Sequence, residues 1–123
     1  MFPPVFAIAV ADSSVTALLG ANPTRFFLFG EAVQNTQKPY AVWQVVSGEP
    51  YNTLSCPPDV DRVTVQIDAY GNTASSVRSV ADALRGAFEA SGGCYVVSLN
   101  GEQKESDTKL YRSSFDLEFH IKR

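Results

Sequence analysis

Between residues 62 and 90 the apolar pattern of this chain changes period, and that change limits the folds open to it. Residues 62–70 alternate strictly: Val63, Val65, Ile67 and Ala69 take one side of an extended strand, and Thr64, Gln66, Asp68 and Tyr70 take the other. Residues 73–90 instead repeat Val77, Val80, Ala81, Leu84 and Phe88 at the three- and four-residue spacing of one helix face. Arg78, Asp82, Arg85 and Glu89 occupy the opposite face as opposite-charge pairs. A half-apolar strand and a striped helix each need something to bury against. The pattern therefore predicts an α+β fold, a mostly antiparallel sheet with this one long helix packed on one face.

The remaining segments fit that frame. Pro3 and Pro4 suit the first turn of a short helix running to about residue 11. Asp12 or Ser13 is a ready N-cap for a second short helix that Gly20 would end. Residues 25–29 read as a short buried strand, and residues 40–46, β-branched and aromatic, as a longer one. Gly48, Pro50, Asn52, Pro57 and Pro58 make residues 47–61 read as a long loop or an irregular hairpin connection. Gly92 and Gly93 stop the long helix, and strands follow over residues 94–100 and 110–121. In the last strand Phe115, Leu117, Phe119 and Ile121 form the apolar side, and Asp116, Glu118, His120 and Lys122 the polar side. Residues 101–109, rich in charge, read as the loop between these strands. Tyr40, Val42 and Val46 around Gln44 make one face of their strand more apolar than a free surface needs. Either the N-terminal helices cover it, or it is a subunit contact.

Composition narrows the function classes. The 123 residues make a single domain, and 45% apolar with 19% charged residues is the balance of a globular chain. Ten basic residues against thirteen acidic ones, with the basic ones scattered, exclude a binder that works by neutralising phosphates. Residues 1–11 are apolar, but no positive charge precedes Arg25 and two prolines interrupt the run, so a signal peptide is not expected. No run of residues is apolar for long enough to make a membrane span. The expectation is a soluble product with no membrane partner.

Candidate chemistry is sparse. His120 has no nucleophile in its pattern and reads as a surface histidine. Cys56 and Cys94 are too few for a zinc site or a disulfide scaffold and read as reduced thiols, Cys94 as a small buried hydrophobe. Asp59 with Asp61, and Asp116 with Glu118, share strand faces at i,i+2 spacing, as carboxylates on solvated faces commonly do. There is no phosphate-cradling glycine motif. Neither an enzyme, nor a cofactor, nor a metal site is predicted. Long loops in small domains tend to carry function, which points to residues 47–61 and 101–109 as contact segments.

Several runs, in order, resemble a known family. They are Lys38-Pro39-Tyr40-Ala41-Val42-Trp43-Gln44-Val45-Val46-Ser47-Gly48-Glu49-Pro50, then Asn52-Thr53-Leu54, then Asp61 to Tyr70, and then Val80-Ala81-Asp82-Ala83-Leu84-Arg85. With Arg25-Phe26-Phe27 before them and Leu110-Tyr111-Arg112-Ser113-Ser114-Phe115-Asp116-Leu117 after them, they are similar to the small tail-completion, or tail-terminator, proteins of long-tailed bacteriophages and prophages. The shared pieces are structural words such as P-Y-x-V-x-Q and Q-x-D-x-Y, while residues 35–37 and 56–58 look individual to this chain.

The resemblance implies a structural virion protein, assembled in the host cytoplasm and located at the head-proximal end of the tail. It implies a ring of identical subunits, commonly a hexamer, that caps the tail tube protein, ends its polymerisation and meets the head-tail connector or stopper protein. Loop length and composition nominate Glu49, Tyr51, Asn52, Leu54, Asp59 and Asp61 in one loop as axial contacts. Glu102, Lys104, Glu105, Asp107 and Lys109 are the nominees in the other, with the open sheet face or an edge strand giving lateral contacts. Two other readings stand beside it: a neck or adaptor protein bound to the portal, and a small ligand-binding module, which would show a concave apolar pocket.

Overall fold

The computed structural model describes residues 3–21, 23–32, 36–50 and 60–122. Two short helices, α1 (Val5–Val10) and α2 (Ser13–Leu19), precede strands β1 (Phe26–Leu28), β2 (Tyr40–Pro50) and β3 (Val60–Gly71). The long helix α3 (Ala74–Ser91) and strands β4 (Cys94–Lys104) and β5 (Tyr111–Lys122) complete the chain. The strands form one sheet in the order β1-β2-β3-β5-β4. Among the described residues only β1 and β2 run parallel; every other neighbouring pair is antiparallel. The fold is α+β, as the change of period required.

The helix boundaries follow from capping chemistry. The Asp12 carboxylate accepts the Ser14 N–H at 2.8 Å and starts α2. Thr73 does the same for α3, its hydroxyl accepting the Ser76 N–H at 3.1 Å, while the Ser76 hydroxyl donates back to the Thr73 carbonyl at 2.9 Å. Gly92, at φ 80°, ends α3 in the left-handed region, where a side chain would be strained. The turn from β3 into α3 is tight, and a Cβ at Gly71 would lie 2.6 Å from the Ser76 hydroxyl.

One face of the sheet carries the core. Val63, Val65, Ile67 and Ala69 of β3 and Phe115, Leu117 and Phe119 of β5 are buried against Val77, Val80, Leu84, Ala87 and Phe88 of α3. Phe88 stands at the centre, with its ring 6.1 Å from Phe119 and 6.5 Å from Phe26. Val5 and Ala9 of α1 and Val15 and Leu19 of α2 join the same core. The N-terminal helices thus pack against α3 and leave the face carrying Tyr40 and Val42 uncovered, which corrects the first of the two expectations for that face. They bury their apolar sides where an apolar surface already exists. Arg25 ties this side to the sheet by donating to the Leu18 carbonyl at 3.0 Å and the Pro39 carbonyl at 2.9 Å.

Two strands run further than expected, and a third is less buried. Strand β2 continues to Pro50 and pairs through Ser47–Thr64, Gly48–Val63, Glu49–Arg62 and Pro50–Asp61. A bulge at Val46 lets the ladder resume past a stretch that reads as a loop. Strand β4 likewise runs on to Lys104, with Glu102 paired to Ser113 and Lys104 to Tyr111, carried by a second irregularity that ends at Gly101. The charge there belongs to an edge strand rather than to a loop. Finally, β1 is an edge strand with only Phe26 buried; Leu28 and the following Phe29 are exposed.

Candidate functional site

The β3–β5 register places the two predicted contact loops. Gly71 of β3 lies opposite Tyr111 of β5, and Val60 opposite Lys122. The β4–β5 turn at residues 105–110 therefore sits at one end of the sheet, and the last residues of β2 with the first of β3 lie at the other. They are separated by the twelve residues of β3, roughly 35–40 Å at the usual rise of a strand. Of the first group, Glu49 stands in β2 and Asp61 in β3, while Tyr51, Asn52, Leu54 and Asp59 lie outside the described residues. Of the second, Glu102 and Lys104 stand in β4, and only Glu105, Asp107 and Lys109 are in the turn. The described members of the two groups do not converge on one site; they lie at opposite ends of the sheet.

Each end of the uncovered sheet face carries its own cluster. At the β4–β5 turn, Tyr40 stacks on Tyr70 with centroids 5.2 Å apart, and Phe27 meets Tyr40 edge-on at 6.3 Å. Lys38 Nζ lies 6.0 Å from the Tyr40 ring. Burial raises both tyrosine hydroxyls above their usual pKa, with Glu105 adding to each and Asp68 to Tyr70; a hydrogen bond with Arg112 pulls Tyr70 back. Both stay neutral at physiological pH. The part played by Phe27, Tyr70 and Arg112 was not legible in the sequence, because it depends on register. The available signal was Tyr70, an aromatic residue on the polar side of an alternating strand.

At the other end, the Tyr95 hydroxyl and a His120 ring nitrogen both meet the Glu118 carboxylate, the imidazole at 3.1 Å, with Arg62 Nε 3.7 Å from its other oxygen. These partners hold the Glu118 carboxyl below the usual range, the Tyr95 hydroxyl foremost. Between the clusters, Gln66 donates to Asp68 at 3.2 Å, and Asn100 donates to Asp116 at 2.8 Å. Asp116 and Glu118 thus each take a donor from β4. Among the described residues no group of three or more His, Cys, Asp or Glu could hold a metal ion. Cys94 is half-buried, its thiol directed at the Phe88 carbonyl 3.2 Å away, and burial pushes its pKa up, away from the reactive thiolate.

On the covered side, Arg78 of α3 binds Glu102 of β4 through two contacts of 2.7 and 2.9 Å. Open clefts of about 230 and 300 Å³ flank this pair, between α3 and the β4–β5 hairpin. Neither holds a buried, converging set of catalytic groups.

A family model described as tail completion protein gp17 matches residues 3–122, almost the whole chain. The chain belongs to that family. Its members are structural proteins rather than enzymes, and this one is a tail completion protein, a virion component. Among solved structures, a chain of the virion of a native gene transfer agent particle superposes with a TM-score of 0.67 at 12% identity, covering 97% of this chain and 92% of the other. The gp17 protein of bacteriophage SPP1 superposes with a TM-score of 0.57 at 12% identity, covering 97% and 86%. These likenesses show that the fold is shared while little of the sequence is. No curated protein matches the chain. Among the described residues no helix is long and apolar enough to cross a membrane.

Proposed function

We propose that this tail completion protein assembles as a homohexameric ring on the head-proximal end of the tail tube, ends tube growth, and presents its far side to the head-tail connector or stopper protein. The observation that supports the reading is the separation of Glu49 and Asp61 from the β4–β5 turn, at opposite ends of the sheet. A subunit whose strands run along the ring axis then offers one end to each axial partner. Glu49, Asp61 and the connection containing Tyr51, Asn52, Leu54 and Asp59 serve one side of the ring. Glu105, Asp107 and Lys109, next to Glu102, Lys104 and the Tyr40–Tyr70 stack, serve the other. Capping follows from asymmetry: one end complements the last tube ring, and the other does not accept a further tube subunit.

Electron microscopy of particles made without this reading frame tests the proposal. Overlong tubes, or finished heads lying apart from tails, are expected. Normal joined virions would overturn the reading, and tails of normal length beside defective heads would move the protein to the portal as an adaptor. Within a working ring, reversing Glu105 and Asp107 to Lys should impair joining at one axial side.

A further inference from the structure

The two edges of the sheet are built alike. Beyond Trp43, where β1 ends, the outer side of β2 from residue 44 to residue 50 has no strand partner among the described residues. Strand β4 likewise has no strand partner on its outer side among the described residues. Each of these edges carries a bulged valine with no partner in the neighbouring strand: Val46 in β2, 44% exposed, and Val97 in β4, 47% exposed. Leu99 beside Val97 is 66% exposed. Soluble proteins guard long edge strands with charge or proline. Residues 94–101 contain neither, and residues 44–48 of the β2 edge have no charged side chain, so these two stretches would bury no charge if they met.

Strand direction decides how they can meet. β1, β2 and β5 run one way, and β3 and β4 the other. Two copies placed side by side by rotation about an axis roughly along the strands keep those directions. The β4 of one copy then arrives antiparallel to the β2 edge of the next, the better-paired arrangement of the two. The contact is head-to-tail, using two different patches per subunit, which is the requirement for a ring.

We propose that the partner of the β4 edge is a second copy of this chain, joined through the outer edge of β2 beyond β1, so that the sheet continues from subunit to subunit. This rests on the ring reading. It commits that reading to one lateral contact: residues 94–101 of one subunit against residues 44–48 of its neighbour. The seam runs lengthwise and leaves both axial ends free for the tube and the connector.

The test uses the full chain carrying Cys56→Ser and Cys94→Ser, added to tails isolated from particles made without it, with a short bismaleimide as cross-linker. A Val46→Cys, Val97→Cys double variant should give a ladder of covalent multimers ending at the closed ring, and each single variant should give only monomer. A ring seen by microscopy in which the double variant does not cross-link overturns the edge pairing while leaving the ring reading intact. Dimers from Val97→Cys alone overturn it too, because they mean that β4 pairs with β4. A chain that forms no ring on tails overturns both readings. In parallel, Val97→Lys with Leu99→Lys should abolish multimer formation while circular dichroism and the melting temperature stay those of the parent. Retained assembly in that variant would refute the proposal.

Discussion

The two faces of this one sheet show what alternation in a strand can be used for. On the covered face every second residue of β3 is apolar and buried, and its contribution is to stability. On the uncovered face the intervening residues, Thr64, Gln66, Asp68 and Tyr70, meet polar and aromatic neighbours from β2 and β5 and one another. Neighbours in sequence thus serve different ends. The covered face keeps the strands together, and the other face takes no part in that core.

The largest effect should come from the centre of the covered face. Phe88→Ala removes a fully buried ring packed on Phe26 and Phe119 and should cost about 3–5 kcal/mol in urea unfolding, enough to leave a small domain marginal. A sharper comparison uses adjacent residues of β3. Val65→Thr places a hydroxyl in the apolar core and should cost about 1–3 kcal/mol. Its mirror, Thr64→Val, keeps the shape on the uncovered face and should stay within about 0.5 kcal/mol of the parent. Equal costs for the two would break the distinction between the faces.

The smallest effect is electrostatic and belongs to the uncovered face. Glu118 titrates below the usual 4.5 because its charged form accepts bonds from Tyr95 and His120 beside Arg62. Its folded value lies below its unfolded one, so its stabilisation is complete above pH 4.5 and is lost as the pH falls through the lower folded value. Tyr95→Phe removes the foremost cause. Urea midpoints taken between about pH 6 and pH 3 should fall less steeply on the acid side in that variant than in the parent. An unchanged slope would mean that the cluster contributes nothing to acid stability.

How much was legible in the sequence varies by element. Helix α3 was read almost to the residue, because an eighteen-residue stripe with Thr73 before it and Gly92 after it is set by local chemistry. The hairpin of β2 and β3 was legible in kind but not in length. Gly48 and Pro50 look like loop residues, and only pairing with Val63 and Asp61 after a bulge keeps them in a strand. Glu102 and Lys104 misled in the same way, since an exposed edge strand tolerates charge as well as a loop does. Charge and length nominated Glu49, Asp61, Glu105, Asp107 and Lys109, but nothing in the sequence told that the first two lie at the opposite end of the sheet from the other three.

What the amino-acid sequence determined by itself was therefore the set of elements, the buried side of each, and membership of a structural virion family. These rest on interactions between residues close along the chain: caps, turns, and the periods of two and 3.6. What only the tertiary structure decided was register and placement. It set Tyr40 over Tyr70, gave Asp116 and Glu118 their donors on β4, and docked the N-terminal helices on α3. It also left β4 and the end of β2 as the open edges. Those outcomes depend on contacts between residues far apart in the chain, and a two-residue shift of any strand would keep the same apolar face while changing every one of its neighbours.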